Sequence, residues 1–493
     1  MMPDQSPDQR PRVILGNKDV AASECQCDAC PPSAPLTLAH SAPPRGPHSL
    51  PPTLTTSRLD DRHWLAYAPA ASAGPAVLND PALALLRRFE HPRPFQGPAS
   101  GTPAQESEQD ALLALRQAHL IAPAACPTPH HSEPPEMLVA WVHTTHACNL
   151  RCTYCYLDAA PETMSAKVGA RAVDAVFRSA VTHCMSGIKL KYAGGEPTLA
   201  FPLIARLHRR ATELAKERAL KLDGVVISNG VSISDEIFAA MQALGLRLAI
   251  SLDGLGEHHD CQRRLSDGSG SFAAVSSTID RALSLDVIPD ISVTVTARNL
   301  PGLPALTHWL LERDLPFRLE FYRQHDTSTP HDDLRPGTQR TIETMRAVFK
   351  LIESNLPRRS LLASLLDRTN LAWPHARACG AGVNYLAIDP HGQIATCQMD
   401  IGRTITSIYA DDPLADLRAD QTGLSNPSAD EKSDCWECQW RHWCGGGCPL
   451  ESYRATGRWN AKSPYCAIYK ALFSEVLRLE GLRLLKYGQA TLQ

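Results

Sequence analysis

The sequence predicts an α/β protein built around a parallel sheet whose strands and helices form a partial (β/α)6 barrel. Short apolar segments alternate with helical patterns across residues 138–325. Parallel sheets need this order because each strand is joined to the next by a helical crossover. The chain has 493 residues, enough for about three domains, and it carries 16 cysteines. We therefore expect a small N-terminal domain before the barrel and a cysteine-rich domain after it.

The N-terminal part divides into a tail, a small domain and a linker. Residues 1–55 are rich in proline and lack apolar periodicity, so we predict a disordered tail that cannot bury enough surface to offset its ordering entropy. Residues 56–127 contain short strands and two helical patterns, one opening at Asp80 as the N-cap and one covering 108–118. We predict a small domain there. Residues 128–135 are typical of a linker.

Six strand segments and five helical patterns make up the predicted barrel. The strands are expected at 138–145, 188–192, 225–228, 246–252, 291–296 and 317–321. The helices are expected at 166–184, 203–218, 235–244, 272–285 and 303–313. Barrels of this kind carry their chemistry on the loops that follow the carboxyl ends of the strands.

The C-terminal part is predicted to be held together by metal centres. Residues 326–376 are mostly a helical linker, and residues 377–475 carry seven cysteines with little apolar periodicity. A region with so small a core needs another source of stability, and metal centres are a common one. Residues 476–493 complete a leucine-rich terminal helix.

The distribution of the cysteines indicates metal or redox chemistry. The first residues show no secretory pattern, so we expect a cytoplasmic protein, in which closely spaced cysteines favour metal binding over disulfides. Three form a tight group and seven lie in the last quarter; the remaining six are Cys25, Cys27, Cys30, Cys126, Cys184 and Cys261. The first three of these six could bind a metal, or they could be incidental thiols of the tail.

The tight group is Cys148, Cys152 and Cys155, in a C-x3-C-x2-C arrangement directly after the first barrel strand. Three thiolates on one loop can hold three irons of a 4Fe–4S cluster and leave the fourth iron open. Zinc normally takes four ligands, and none of the residues in this loop clearly supplies the fourth, although His146 is close. A structural or zinc-binding loop is the alternative.

This motif after strand one of a barrel resembles the radical S-adenosylmethionine (SAM) superfamily. The resemblance implies a TIM-like radical SAM barrel whose open iron chelates SAM. One electron from the cluster then cleaves SAM reductively and yields a 5′-deoxyadenosyl radical, which abstracts a hydrogen atom from the substrate.

Other strand-end loops extend the resemblance to the SAM-binding residues. It implies that the Gly-Gly-Glu-Pro loop receives the SAM ammonium through its backbone and its glutamate, and that an aromatic residue lies beside the adenine. Short polar side chains could bind ribose or carboxylate oxygens, and an arginine suits a carboxylate. The implied cofactor contacts are Gly194, Gly195, Glu196, Pro197, Tyr154, Ser228, Asn229, Ser251, Asp253 and Arg263. For Tyr154 the alternative is simple packing, for the Asn-Gly and Asp-Gly loops ordinary turns, and for Arg263 a structural salt bridge.

The seven late cysteines follow the pattern C-x17-C, then C-x2-C-x5-C-x3-C-x17-C. The spacing alone is equally consistent with one or two zinc sites. With the upstream motif it resembles the SPASM domain of radical SAM peptide-modifying enzymes. That resemblance implies one auxiliary 4Fe–4S cluster held by Cys435, Cys438, Cys444 and Cys466, and another held by Cys379, Cys397 and Cys448. Family members often have an eighth cysteine between the first two, and this chain has none there.

The resemblance implies an enzyme that oxidatively modifies a ribosomally synthesised peptide by a carbon–carbon or thioether cross-link. Residues 56–127 resemble a winged-helix-like element that captures a leader peptide, unless they are an unrelated extension. The alternatives are a formylglycine-forming sulfatase maturase and a non-catalytic Fe–S or zinc protein. A sulfatase maturase needs an acidic residue, acting as a base, directly after the second cysteine of this domain. Here Asp400 lies three residues after Cys397 rather than beside it.

The expected partners are a peptide or protein substrate and a reducing protein such as flavodoxin or ferredoxin. The formal net charge of −3 gives no indication of nucleic-acid or membrane-surface binding. The general base is unassigned. Polar residues near the strand ends are equally consistent with structural roles: His258, His259, Asp253, Glu320, Tyr322 and Arg323.

Overall fold

The computed structural model describes residues 10–16, 46–69, 74–95, 102–124, 136–324 and 332–488. The predicted linker at 128–135 and four of the unassigned cysteines lie outside the described residues. Those cysteines are Cys25, Cys27, Cys30 and Cys126.

The strands and helices occur in the following order along the chain. The strands are β1 (Val13–Leu15), β2 (Pro47–Ser49), β3 (Thr55–Arg58), β4 (His63–Tyr67), β5 (Ala76–Asn79), β6 (Arg93–Pro94), β7 (Ala122–Pro123), β8 (Met137–Thr145), β9 (Leu150–Cys152), β10 (Gly187–Gly194), β11 (Lys221–Ser228), β12 (Arg247–Ser251), β13 (Arg263–Leu265), β14 (Asp290–Val295), β15 (Phe317–Phe321), β16 (Tyr385–Ile388), β17 (Gln393–Ala395) and β18 (Thr404–Ser407). The helices are α1 (Asp80–Arg87), α2 (Pro103–Gln117), α3 (Ala166–Thr182), α4 (Phe201–Arg218), α5 (Asp235–Leu244), α6 (Glu257–Asp260), α7 (Phe272–Ser284), α8 (Leu303–Glu312), α9 (Thr338–Ser354), α10 (Pro413–Ala419), α11 (Arg441–Cys444), α12 (Pro449–Thr456) and α13 (Cys466–Tyr487).

The predicted parallel sheet is present. Six strands, β8, β10, β11, β12, β14 and β15, lie side by side in sequence order, and every neighbouring pair is parallel. The sheet continues past β8 into the cysteine-rich region, because β16 pairs in parallel with β8 and is followed by β17 and β18. The cysteine-rich region therefore shares a sheet with the barrel. It satisfies the free backbone groups of β8, which would otherwise be an edge strand.

Alternating side chains divide the sheet into an apolar outer face and a polar inner face. Leu190 and Tyr192 of β10 are fully buried in the core beneath the helices, and Tyr192 contacts His208 of α4. Lys191 between them points to the other face, where its ammonium lies 5.0 Å from the ring centre of Trp141 on β8. Successive strand residues point to opposite faces, so the inner face of the barrel is where polar chemistry can be placed.

The N-terminal region contains more structure than predicted. Val13–Leu15 and Pro47–Ser49 lie in the predicted disordered tail, yet the first pairs antiparallel with β5 and the second with β6 and β7. The apolar segment Val-Ile-Leu completes a four-stranded sheet of order β1-β5-β4-β3. Helix α1 is capped by Asn79, one residue before the predicted N-cap, because the Asn79 side chain accepts a hydrogen bond from the Ala82 backbone.

Two helices begin earlier than predicted. Helix α2 starts at Pro103 rather than at 108, because Thr102 caps its first turn and proline suits the first helical position. The C-terminal helix α13 starts at Cys466, inside the predicted cysteine-rich domain, and so presents the last cysteine on its first turn. Leu484 of α13 packs against Leu59 and Val77, which joins the N-terminal sheet to this helix. Within the described residues, no helix is long and apolar enough to span a membrane.

Candidate functional site

The first cysteine group lies on the loop that leaves the carboxyl end of β8. The segment Leu150–Cys152 forms β9, which pairs antiparallel with β13, so the backbone of Cys152 lies opposite that of Arg263. The Cys155 backbone N–H donates to the Cys152 carbonyl at 3.2 Å, which closes the turn carrying the last two cysteines. The loop is therefore anchored to a second segment more than a hundred residues away in sequence.

Burial disfavours free thiolates in this loop. It raises the pKa of Cys148 and Cys155, and it raises the pKa of Cys152 to about 12 against the opposing charge of Arg263. Cys155 and Cys148 also raise the pKa of Cys152, and Cys148 raises that of Cys155, as expected for groups close together. The Leu150 backbone N–H donates to Cys148 Sγ at 3.4 Å. A bound iron would keep these thiols deprotonated, so the residues fit a three-cysteine cluster.

Two glycines hold the loop after β10 against the cysteine loop. The Gly195 N–H donates to the Thr145 carbonyl at 2.7 Å, and the Glu196 N–H donates to the Ala147 carbonyl at 2.8 Å. A Cβ atom at Gly194 would lie 2.0 Å from the Thr145 carbonyl oxygen, and one at Gly195 would lie 2.3 Å from that of Ala147. Only glycine permits this contact. The two predicted ligand-binding loops are therefore parts of one surface.

The Glu196 side chain is buried and is already bound by four protein donors. One carboxylate oxygen accepts from the Thr198 backbone at 3.0 Å, the Thr198 hydroxyl at 2.6 Å and the Ser228 hydroxyl at 2.9 Å. The other accepts from the Asn229 backbone at 2.7 Å. Burial raises the pKa of Glu196 while these donors lower it. The carboxylate thus fastens the loops after β10 and β11 together, so direct contact of Glu196 with the SAM ammonium stays a prediction.

Asp253, which follows β12, lies in a buried hydrogen-bond network. It has no exposed surface. Its carboxylate accepts from Gln262 Nε2 at 2.9 Å, from the Thr294 backbone at 2.8 Å and from the Tyr154 hydroxyl, and Arg263 lies 3.8 Å away. These partners fix the carboxylate within the protein, and its contact with the cofactor stays a prediction.

Tyr154 and Arg263 belong to the same buried network. The Arg263 guanidinium donates to the Tyr154 hydroxyl, so the hydroxyl is held between a cation and the carboxylate of Asp253. Burial raises the pKa of the tyrosine well above its ordinary value. The Tyr154 side chain is partly exposed, and its contact with the adenine stays a prediction. The salt-bridge alternative for Arg263 is present in the structure.

The His-Asp-x-x-Arg motif positions this arginine. His259 Nδ1 accepts from the Asp253 backbone at 3.2 Å, and His259 Nε2 lies 3.0 Å from the Ser271 hydroxyl. Asp260 accepts from the Ser271 and Phe272 backbones at 2.8 and 2.9 Å, which caps α7. Burial lowers the pKa of His259 to about 3, so the ring is neutral. The motif therefore builds the loop that carries Arg263.

Three of the late cysteines line a common cavity. Cys379, Cys397 and Cys448 line one cavity, whose lining also includes Arg323 and Arg368. Cys379 and Cys448 act electrostatically on Cys397, whose pKa is raised mainly by burial. The structure thus brings together the three cysteines that the resemblance grouped as one ligand set.

Two further polar residues line the cavity of Cys379, Cys397 and Cys448. The Tyr385 hydroxyl donates to Gln398 Oε1 at 2.5 Å, and both side chains are buried. The Cys397 thiol lies 3.6 Å from the same amide oxygen. Two neutral oxygen atoms, one hydroxyl and one amide, therefore lie close to Cys397 in this cavity.

The other four cysteines form a second group. Cys466 and Cys438 raise the pKa of Cys435, and Cys466 and Cys435 raise that of Cys444 to about 12, in each case after a larger effect of burial. The two groups meet at Cys444 and Cys448, which are separated by three glycines. In the described part of the chain, no group of three or more His, Cys, Asp or Glu side chains is arranged to hold a single metal ion. A 4Fe–4S cluster makes a different demand, because each thiolate binds its own iron.

The inner face of the barrel carries several cations near one carboxylate. Burial acts to raise the pKa of Glu320, but the charges of Arg368, Arg323, Arg318 and Lys191 outweigh it and lower that pKa. Arg368 and Arg323 also line the cavity of the three cysteines. Two cations that act on Glu320 are therefore also part of the cavity lining.

Sequence reasoning missed two residues near these centres. Tyr156 follows Cys155 directly, and its hydroxyl lies 3.3 Å from Nε2 of His143. This histidine is fully buried, and its other ring nitrogen has no hydrogen-bond partner among the described residues. Lys432 is fully buried beside the late cysteines. The position of Tyr156 next to a cysteine was the available signal for the first; no sequence pattern indicated the second.

Comparison with known proteins gives a family match for the barrel. Residues 142–312 match the model of the Radical SAM superfamily. The chain is 23% identical over 390 residues to the serine-type anaerobic sulfatase-maturating enzyme of Klebsiella aerogenes, covering 74% of this chain and 90% of that protein. It is 24% identical over 288 residues to the antilisterial bacteriocin subtilosin biosynthesis protein AlbA of Bacillus subtilis, covering 54% and 56% respectively.

A solved structure confirms the fold. The structure described as native anSMEcpe with bound AdoMet and Kp18Cys peptide aligns with a TM-score of 0.59 at 18% identity, covering 72% of this chain and 99% of that chain. The predicted radical SAM α/β fold with a parallel sheet is thus confirmed. The N-terminal region has no further support from this comparison.

Proposed function

We propose that this chain, a radical SAM enzyme related to peptide and sulfatase maturases, oxidatively modifies a ribosomally synthesised peptide and installs a carbon–carbon or thioether cross-link. The proposal includes two auxiliary 4Fe–4S clusters, held by Cys435, Cys438, Cys444 and Cys466 and by Cys379, Cys397 and Cys448. When bound, SAM and the cluster of Cys148, Cys152 and Cys155 supply the radical that abstracts a hydrogen atom.

The observation that carries the proposal is the position of Tyr156. Apart from burial, the groups that raise the pKa of this tyrosine are Cys155 of the first cysteine group and Cys397 of the late cavity. Tyr156 therefore lies within electrostatic range of both sites. A peptide segment beside Tyr156 would lie between the place where a hydrogen atom is removed and a group able to accept an electron.

This arrangement suits a reaction that removes two hydrogens. A cross-link takes one hydrogen from the peptide as an atom and the other as a proton and an electron, so an electron acceptor is needed within reach. A 4Fe–4S cluster held by Cys379, Cys397 and Cys448 would supply that acceptor, and the positive charges of Arg323 and Arg368 beside it would favour transfer of negative charge to it.

The N-terminal region is proposed to capture a leader peptide. In the described residues, β3 pairs with β4 alone and is otherwise exposed. Such an edge can accept an extended peptide as an additional strand. A winged-helix-like role for residues 56–127 would give the substrate a docking point away from the barrel. We further propose a flavodoxin or ferredoxin as the reducing partner and the cytoplasm as the site of action.

A formylglycine-forming sulfatase maturase is the second candidate. It is favoured by the alignment that covers 90% of the Klebsiella aerogenes maturase. It is disfavoured by the residue after Cys397, because Gln398 lines the cavity with a neutral amide. Asp400, the nearest acidic residue in sequence, ends a short 3-10 helix that begins at Gln398.

The first experiment tests the enzyme and its clusters. We expect anaerobic reconstitution to give about twelve irons per chain, and dithionite plus SAM to release 5′-deoxyadenosine. Cys152→Ala should abolish this release, whereas Cys438→Ala should retain it because that residue belongs to an auxiliary site. Stoichiometric zinc, or release that survives Cys152→Ala, would contradict the proposal.

The second experiment tests the product. A short peptide encoded beside this gene is co-expressed with the enzyme, and each cross-link should lower its mass by two hydrogens. Oxidation of a serine to formylglycine removes two hydrogens as well, so an aldehyde-reactive hydrazide is added. A cross-link leaves the product unlabelled and blocks fragmentation between the joined residues. Hydrazide labelling would favour the maturase instead.

A further inference from the structure

Lys432 is a buried cation to which the proposed function assigns no role. Its side chain is fully buried. Its ammonium donates to the carbonyl oxygens of Gly446 at 2.9 Å and Gly447 at 3.2 Å. None of the ion pairs in the described residues includes it, so two neutral carbonyls are its only close hydrogen-bond partners there. Burying an ammonium without an anionic partner is costly, which raises the question of what compensates its charge.

The three glycines between Cys444 and Cys448 enclose this side chain. All three have positive φ values, 60°, 74° and 74°. A Cβ atom at Gly446 would lie 2.5 Å from Lys432 Cδ, and one at Gly445 would lie 2.4 Å from the Ala378 backbone nitrogen. Only glycine fits at both positions. The glycine segment therefore holds the lysine where one cysteine group ends and the other begins.

Lys432 lies within electrostatic range of cysteines from both groups, since its ammonium is held by the glycine carbonyls between Cys444 and Cys448. Burial lowers the pKa of the ammonium, and four cysteines oppose this effect. Cys435 and Cys444 belong to one group, and Cys448 and Cys379 belong to the other. Thiolates bound to iron would give both groups negative charge. The two cysteine groups together would therefore supply the negative charge that balances the Lys432 ammonium, in place of a carboxylate.

We propose that Lys432 is a counter-charge shared by both auxiliary clusters and that it raises the reduction potentials of both. The inference rests on the proposed function, because it takes the two cysteine groups as cluster ligands. Reduction adds one negative charge to a cluster, so a nearby fixed cation stabilises the reduced form more than the oxidised form. Removing the cation should lower both potentials.

The test compares Lys432→Met with Lys432→Arg in the reconstituted full-length protein. Iron content is measured first, and the three centres are then titrated by EPR-monitored potentiometry. For Lys432→Met we expect the equilibrium constant for one-electron reduction of each auxiliary centre to fall at least tenfold. This corresponds to a reduction potential lower by about 59 mV. Lys432→Arg keeps the charge and should stay near wild type. The centre of Cys148, Cys152 and Cys155 is the internal reference and should not move.

Lys470 provides a matched control. This exposed lysine interacts electrostatically with Cys438, Cys466 and Cys435, all in one group. Lys470→Met removes the same charge, so it should shift the potential of that centre alone. The shift should be smaller than for Lys432→Met because water screens an exposed charge.

Iron content and auxiliary reduction potentials together decide whether the inference on Lys432 holds. Full iron content with unchanged auxiliary potentials in Lys432→Met would overturn the inference, as would a shift of one auxiliary centre only. Loss of auxiliary iron in Lys432→Met but not in Lys432→Arg would support it, because arginine keeps the positive charge that methionine lacks. Loss in both variants would assign Lys432 to packing and overturn it. A wild-type chain with about four irons would instead contradict the proposed function.

Discussion

Replacing Asp253 by asparagine should destabilise the barrel by leaving a cation buried without its partner. The Asp253 carboxylate has no exposed surface, and the Arg263 guanidinium beside it is 9% exposed at a distance of 3.8 Å. Breaking a buried pair by removing one charge costs about 3–5 kcal/mol. The new amide would also place a donor opposite Gln262 and Tyr154, which donate to the carboxylate now. We therefore expect a loss of about 3–5 kcal/mol in the free energy of unfolding.

The measurement is urea unfolding of the reconstituted protein, followed by circular dichroism. Asp253→Asn should lower the midpoint without changing the slope. The same substitution at Asp235 is the matched control: its carboxylate also pairs with an arginine, Arg281, but both side chains are about half exposed. Asp235→Asn should leave the midpoint near wild type, because exposed pairs contribute little.

A double-mutant cycle separates the buried charge from simple loss of packing. Asp253→Asn leaves the Arg263 cation buried without its partner, and Arg263→Met removes that cation. The double variant should therefore be more stable than the sum of the two single losses predicts. Contacting residues show coupling energies of about 0.5–3 kcal/mol. Additive losses would refute the reasoning. SAM binding should weaken in both single variants, because the pair fixes the Tyr154 hydroxyl.

Two further predictions concern acid stability and the glycine segment. Burial lowers the pKa values of His143 and His259 to about 3 from 6.5, so below pH 6.5 the unfolded chain binds more protons. Stability present at pH 7 should fall as the pH drops from 6.5 towards 3, by about 1.4 kcal/mol per histidine at pH 5.5; equal urea midpoints at pH 7.5 and 5.5 would contradict this. Gly446→Ala should lower auxiliary iron content and thermal stability, because a Cβ atom would collide with Lys432. Gly457→Ala has a similar φ of 72° and open space, so it should cost only the roughly 1–2 kcal/mol of the left-handed conformation.

Sequence patterns predicted the barrel well because its elements are locally encoded. The segment Phe317–Phe321 and the helix Asp235–Leu244 have the predicted bounds, since apolar alternation and capping act within a few residues. The strand Val13–Leu15 was missed because its proline-rich surroundings hide three apolar residues whose partner is β5, some sixty residues away.

The candidate site was predicted where short motifs define it and missed where distant segments meet. The cysteine spacings grouped Cys379, Cys397 and Cys448 by resemblance, and these three share a cavity. The buried network around Asp253 was not predicted, because its partners lie on three separate segments of the chain. Lys432 was invisible because nothing near it in sequence marks it as buried.

A comparison of the buried cations predicts the order of the reduction potentials of the three proposed clusters. Arg263 acts on Cys152, but its charge is compensated by Asp253. Lys432 has no carboxylate partner in the described residues. A compensated cation stabilises a reduced cluster less than an uncompensated one, so the first centre should keep a lower potential than the auxiliary centres. Reductive cleavage of SAM needs a strong reductant, and an oxidised peptide needs an acceptor. We infer that the same charge arrangement that separates the centres electrostatically directs electrons from the peptide to the auxiliary side.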